Sequence, residues 1–294
     1  MSRTPRPLWK RVLRQPALTV MRAAEMAAGL AYASAPFQTL RALRLAGARV
    51  PADLRAAVLA HVYYLELWDE ILAVRATLPD GAPILVTAPP AQAARLRAMT
   101  AGVAAVEIIE RPNRGRDIAP FVHALQSGAL DRFDAVLKIH TKKSPHLLQG
   151  DLRRRVFFAA LAGSRAASAR ALAWFADPKV GMVGPARYFR TAPIYWMDDR
   201  ARVEALAARM DAPAELGFFE GSMFWVRPAA LAPLRALDLP LEAFEAEAGQ
   251  LDGTLHHAIE RLIPVAVARA GYETRAIGGR RLEPARLASR PPMA

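Results

Sequence analysis

Residues 56–64 read AAVLAHVYY and residues 134–140 read DAVLKIH; between them lie PILVT (83–87) and VAAVEIIE (103–110). Each is a short aliphatic run with few charges, the pattern of a strand buried on both faces. The segments between them have helical length: Leu65–Thr77, Pro90–Thr100 and residues 117–130, with a turn signal at Pro79-Asp80-Gly81. Strands alternating with helices predict βαβ units and a mostly parallel, Rossmann-like sheet flanked by helices. In such open sheets a ligand lies beyond the carboxyl ends of the strands. Those ends are marked here by His61, Tyr63 and Tyr64, by Asn113-Arg114-Gly115-Arg116-Asp117, and by His140-Thr141-Lys142-Lys143-Ser144. The three points are expected to converge on one crevice.

Working outward, the chain of 294 residues is 53% hydrophobic and 23% charged, which places it among globular proteins. It has no cysteine, so disulfides, thiolate metal sites and cysteine nucleophiles are excluded. The longest uncharged stretch, Met26 to Leu40, is shorter than the roughly 20 apolar residues that a spanning helix needs. Arg22 and Glu25 interrupt the first apolar stretch and argue against a signal peptide. The net charge of +13 is uneven: residues 1–50 hold nine basic residues against Glu25 alone. There arginine mixes with Trp9, Val12, Leu13, Val20 and Met21, a composition suited to a helix at an anionic lipid surface. A solvated helix packed on the main domain is the alternative. The expected organisation is a basic amphipathic helical extension (1–50), an α/β domain (51–278) and a mobile tail (279–294). Nucleic acid is not an expected partner, because the charge excess lies outside the α/β part.

Four clusters carry the chemistry. KIHTKKS (138–144) gathers three of the five lysines in a chain that otherwise uses arginine. A compact ammonium suits phosphate oxygens, and in a strand Lys138, His140 and Lys142 would share one face. NRGRD (113–117) sets a glycine between two arginines before a helix, a ready anion site in which Asp117 could equally be an N-cap. FFEGSMFWVR (218–227) embeds Glu220 in aromatics, where a desolvated carboxylate would have a raised pKa. QLDGTLHHAIERL (250–262) reads as a helix opened by Asp252, with His256 and Glu260 four residues apart on one face.

Taken together, NRGRDIAPF, KIHTKKS, EGSMFWVRP and LDGTLHHAIERL resemble the rhamnan synthesis protein F family of bacterial polysaccharide and O-antigen assembly, over roughly residues 56–275. Their order is similar to the GT-A glycosyltransferase plan, so the resemblance implies a GT-A-like fold. That plan ends a strand in Asp-x-Asp, which holds a divalent metal on the nucleotide diphosphate. Here the strand ends in His140-Thr141-Lys142, and no Asp-x-Asp occurs in the chain. The expectation is therefore no cofactor, with cationic side chains replacing a metal. The resemblance implies transfer of L-rhamnose from dTDP-L-rhamnose, with inversion, to a growing polysaccharide or lipid-linked glycan. His61, Tyr63, residues 113–117, Lys138 and residues 140–144 would bind the nucleotide sugar. Asp252, with Glu220 in reserve, would be the base, and Gly221, Ser222, Trp225, His256 and His257 would meet the acceptor or sugar. A cytoplasmic location, or a peripheral one at the inner face of the membrane, is expected. The competing reading keeps the phosphate cradle without chemistry, as an assembly protein of a polysaccharide-synthesis complex.

Overall fold

The four aliphatic runs form adjacent parallel strands: β1 (Ala56–His61), β2 (Ile84–Ala88), β3 (Val106–Glu110) and β4 (Ala135–His140). The computed structural model describes residues 16–141, 150–250 and 252–286. Beyond these strands the sheet takes in β5 (Val180–Gly184), β9 (Phe224–Val226), β10 (Glu273–Ala276) and β11 (Arg281–Leu282), in the order β11-β10-β5-β9-β4-β1-β2-β3. Strand β9 enters antiparallel between β4 and β5, and β11 closes one edge antiparallel. Two small pairings lie outside it: β6 (Phe189–Arg190) with β8 (Phe218–Phe219), and β7 (Glu215–Leu216) with β12 (Ala285–Arg286).

Side-chain alternation divides the core. Ala57, Leu59 and Val136 face a cluster with Phe121, Phe224 and the long helix near the C-terminus. Val58, Ala60, Leu137 and Ile139 face the other, with Trp225, Phe157 and Leu161. Both faces are covered, which is why the strands read as continuous apolar runs. The flanking helices are α1 (Pro16–Ala33), α2 (Ala35–Leu45), α3 (Trp68–Arg75), α4 (Pro90–Thr100), α5 (Ile118–Gln126), α6 (Gly150–Ala162), α7 (Arg165–Ala173), α8 (Arg200–Arg209), α9 (Ala232–Arg235) and α10 (Leu255–Arg269).

Several boundaries differ from the sequence reading. The first strand stops at His61, because the chain turns at Tyr63 and Tyr64, whose N–H groups bond to Thr141. Leu65–Thr77 splits into a 3-10 turn and α3. Asp252 does not open the following helix: Thr254 occupies the N-cap, and Asp252 sits two residues earlier. The stretch expected to be a mobile tail begins with structure, since β11 and β12 both pair with other strands. The described part of the N-terminal extension is helical and outside the sheet. Arg41 donates to the carbonyls of Ala159 and Ala160, at 2.7 and 2.8 Å, close to the C-terminal end of α6. Trp9, Val12, Leu13, Lys142, Lys143, Ser144 and residues 287–294 lie outside the described residues. No described helix is long and apolar enough to cross a membrane.

Candidate functional site

The order β3-β2-β1-β4 places the switch in connection between β1 and β4, where a crevice opens at the carboxyl ends. Thr141 ties the two ends together: its hydroxyl accepts the N–H groups of Tyr63 and Tyr64 at 3.0 and 3.1 Å. Thr141 is fully buried, so it fixes the loops and does not face a ligand. Beside it, Lys138 and His140 leave one face of β4, as the strand period requires. Lys138 is buried, 2.6 Å from Asp117 and 2.8 Å from the carbonyl of Ser222, with the rings of Phe121 and Phe224 about its ammonium. His140 Nε2 lies 3.0 Å from the carbonyl of Gly221. Burial would raise the Asp117 carboxyl, but Lys138, with His140 and His61, holds it well below the usual carboxylate range. Burial, reinforced by His140 and Lys138, lowers His61 to about 4 against the pull of Asp117, and its Nδ1 meets Thr87.

Two left-handed pairs shape the walls. Gly115 and Arg116 both have positive φ, as do Gly221 and Ser222. At Gly115 a Cβ would stand 2.6 Å from Ala119 and 2.7 Å from Phe244, so glycine is required twice over. The turn aims Arg116 at the crevice, where it donates to Glu247 at 3.0 Å and to the carbonyl of Gln250.

All four sequence clusters meet in a cavity of about 470 Å3. Its walls carry Arg116 and Asp117 from NRGRD, His140 from KIHTKKS, and Glu220 to Met223 from FFEGSMFWVR. The fourth supplies Asp252, His256, His257, Glu260 and Arg261. The carboxylates are prepared differently. Glu220 lies 2.6 Å from both Arg153 and Arg190. Burial acts to raise its pKa, yet the two guanidiniums outweigh it and leave Glu220 below its ordinary value. This reverses the raised value that the aromatic setting suggested. Asp252 accepts the N–H of Asp198 at 2.8 Å and pairs with Arg261 at 3.1 Å. Burial opposes these bonds, which together with Asp199 keep its carboxyl low. Asp199 is buried and 2.8 Å from Arg261. Burial and the neighbouring Asp252 push it up to about 7. Burial also lowers His256 to about 4, helped by Arg116, and His257 to about 3, helped by His256, so both rings are neutral near pH 7. Thr254 bonds to both.

Some expected site residues are elsewhere. Arg114 turns away and donates to the carbonyls of Phe244 and Glu242 at 2.9 and 3.2 Å, pinning that segment. Asn113 is exposed off the cavity, and Lys138 is neutralised by Asp117 beneath its wall. Trp225 is core: fully buried, with its indole N–H on the carbonyl of Leu161 at 3.1 Å. Tyr63 lines a second groove of about 470 Å3 with Leu65, Glu66, Gln92, Arg95 and Met99. Sequence reasoning missed Arg153, Arg154, Tyr195, Met197 and Arg261 on the cavity wall, and Asp199 behind it. A faint signal existed at Arg261, next to Glu260 just before the apolar run 262–268 of the same helix. Asp199 gave none.

Among the described residues, Asp199, Asp252 and His257 are the group whose ligand atoms approach within 4.8 Å of one another, as a metal would need. Arg261 already pairs with both carboxylates.

Residues 40–272 match the model of a family described as rhamnan synthesis protein F. The chain is 36% identical over 224 residues to the uncharacterized protein WxcX of Xanthomonas campestris pv. campestris strain B100, covering 74% of this chain and 32% of that protein. The WxcX protein of strain ATCC 33913 is 35% identical over the same length, with the same shares covered. The chain thus spans about a third of the length of the curated relatives it matches. No solved structure matches it.

Proposed function

The chain belongs to the rhamnan synthesis protein F family, and from that premise we propose that its cavity is a GT-A-like glycosyl-transfer site acting in bacterial surface-polysaccharide synthesis. The observation that carries the reading is the meeting of all four sequence clusters around one cavity at the carboxyl edge of the sheet. The proposed donor is dTDP-L-rhamnose and the proposed acceptor a polysaccharide or lipid-linked glycan. Asp252, ionised and oriented by the Asp198 N–H and Arg261, takes the proton of the acceptor hydroxyl. The acceptor oxygen forms the new bond to the anomeric carbon. The bond to the diphosphate breaks on the opposite side, and its electron pair leaves on dTDP. Arg116 faces that leaving group, and Lys142 and Lys143, outside the described residues, are the further cations expected there. Preorganised positive charge at a developing anion is worth about 10²–10³ in rate per donor. Glu220, clamped by two arginines, is an orienting group rather than a base.

One observation favours a purely binding role in an assembly. The described arginines around the cavity are paired with carboxylates: Arg116 with Glu247, Arg153 with Glu220, Arg154 with Glu70. Titrating the chain with dTDP-L-rhamnose, UDP-glucose and random DNA tests both readings. Preferential binding of the dTDP sugar with release of dTDP on adding acceptor is expected. Binding without release would favour the assembly role, and preference for DNA would reject both.

A further inference from the structure

Helix α2 buries none of its residues completely, although it carries Phe37, Leu40, Leu43 and Leu45. Phe37, Leu40 and Leu43 follow one another at three-residue steps on its outer side, and Leu43 is 70% exposed. Met26 and Leu30 on α1 are exposed as well, so five of the nine large exposed apolar residues among those described sit on these two helices. Single exposed leucines are ordinary, but a run of them on consecutive helices marks a surface that meets something.

Charge narrows the occupant. Between Met26 and Val50 there are three arginines (Arg41, Arg44, Arg49) and no acidic residue. Arg41 is spent inward on α6, while Arg44 and Arg49 are exposed. A two-fold contact with a second copy would bring like arginines together around the apolar stripe. An anionic bilayer answers both the stripe and the charge.

Position adds a reason. Gly29 of α1 packs at Leu152 and Val156 of α6, within a turn of Arg153 and Phe157 on the cavity wall. Phe37 contacts Tyr32 at 5.1 Å between ring centroids, and Arg41, 5.6 Å over the Tyr32 ring, donates to the carbonyls of Ala159 and Ala160 on α6, the helix of Phe157. Tyr188 in turn stacks on Phe157 at 4.3 Å, with Arg153 and Arg190 over its ring. A continuous run of contacts therefore joins the apolar stripe to the side of the cavity that holds Glu220.

We infer that the outer face of α1 and α2 is a docking surface for an anionic lipid bilayer, which sets the cavity beside the membrane. This surface stands independently of the transfer reading, because its evidence is the exposed stripe and its charge.

The test is co-sedimentation of the full chain with phosphatidylcholine vesicles, with and without phosphatidylglycerol, beside light scattering for self-association. Binding is expected with phosphatidylglycerol and to weaken with salt. Arg44→Gln should weaken it about fivefold, as removal of one basic residue near such a surface does. Leu43→Glu should weaken it about tenfold or more at an unchanged melting temperature, and Leu40→Glu provides a second reading if Leu43→Glu fails to fold. No binding, equal binding to both vesicle types, or binding that survives both substitutions would overturn the inference. So would a dimer that Leu43→Glu dissociates, since a second copy would then own the stripe.

Discussion

Glu220 and Asp252 are two carboxylates in one cavity, and their neighbours separate their roles. Two guanidiniums at 2.6 Å hold Glu220, whereas Asp252 meets one backbone N–H and shares Arg261 with Asp199. Asp252→Asn is therefore expected to lower kcat by about 10²–10⁴ with donor affinity retained, the range for a lost general base. Glu220→Gln should change affinity more than kcat. Normal turnover of Asp252→Asn with a dead Glu220→Gln would exchange the assignments. Beneath the wall, Lys138→Ala leaves Asp117 buried without its partner and should cost about 3–5 kcal/mol in chemical denaturation. The double change Lys138→Met with Asp117→Leu should recover much of that loss. Asp199 supplies a pH test. Its folded-state pKa is raised above the ordinary 3.8, so the stability it contributes is full below that value and is lost as pH rises through about 7. Melting temperatures measured from pH 5 to pH 8 should show this decline, and Asp199→Asn should flatten it; an unchanged slope would place the proton elsewhere.

At the scale of elements, the parallel half of the sheet was legible because both its faces are buried. Strand β4 was read to within one residue and α4 to the residue. What escaped depends on long-range pairing. Strand β9 is three residues long and reads as aromatic filler, yet it bridges β4 and β5 and carries the Gly221–Ser222 turn to the cavity. The start of α10 was misplaced because Asp252 is as good a cap by type as Thr254. Tertiary bonds to Asp198 and Arg261 draw its carboxylate away. The Arg-Gly-Arg turn was recognised, but its two arginines diverge: the left-handed backbone sends Arg116 to the cavity and Arg114 to the carbonyls near Phe244. Gly115→Ala meets both a positive φ and Phe244, so it should destabilise the chain by about 1–3 kcal/mol and weaken donor binding with it.

Across the whole molecule, the sequence showed which residue types carry charge but not which of them cancel. Lys138 looked like a phosphate ligand and is the buried partner of Asp117; Asp199 and Asp252, far apart in the chain, share Arg261. The convergence of the segments after β3 and β4 was legible from alternation alone, whereas Tyr63 after β1 lines the second groove, and the arginines of α6 that complete the cavity were not legible. Because that convergence is the central claim, hydrogen exchange with and without dTDP-L-rhamnose addresses it most directly. The nucleotide sugar is expected to slow exchange together at residues 115–118, 220–223 and 252–258, with or without EDTA. Protection confined to the groove at Tyr63, Gln92 and Arg95, or no protection at any of the three segments, would contradict it.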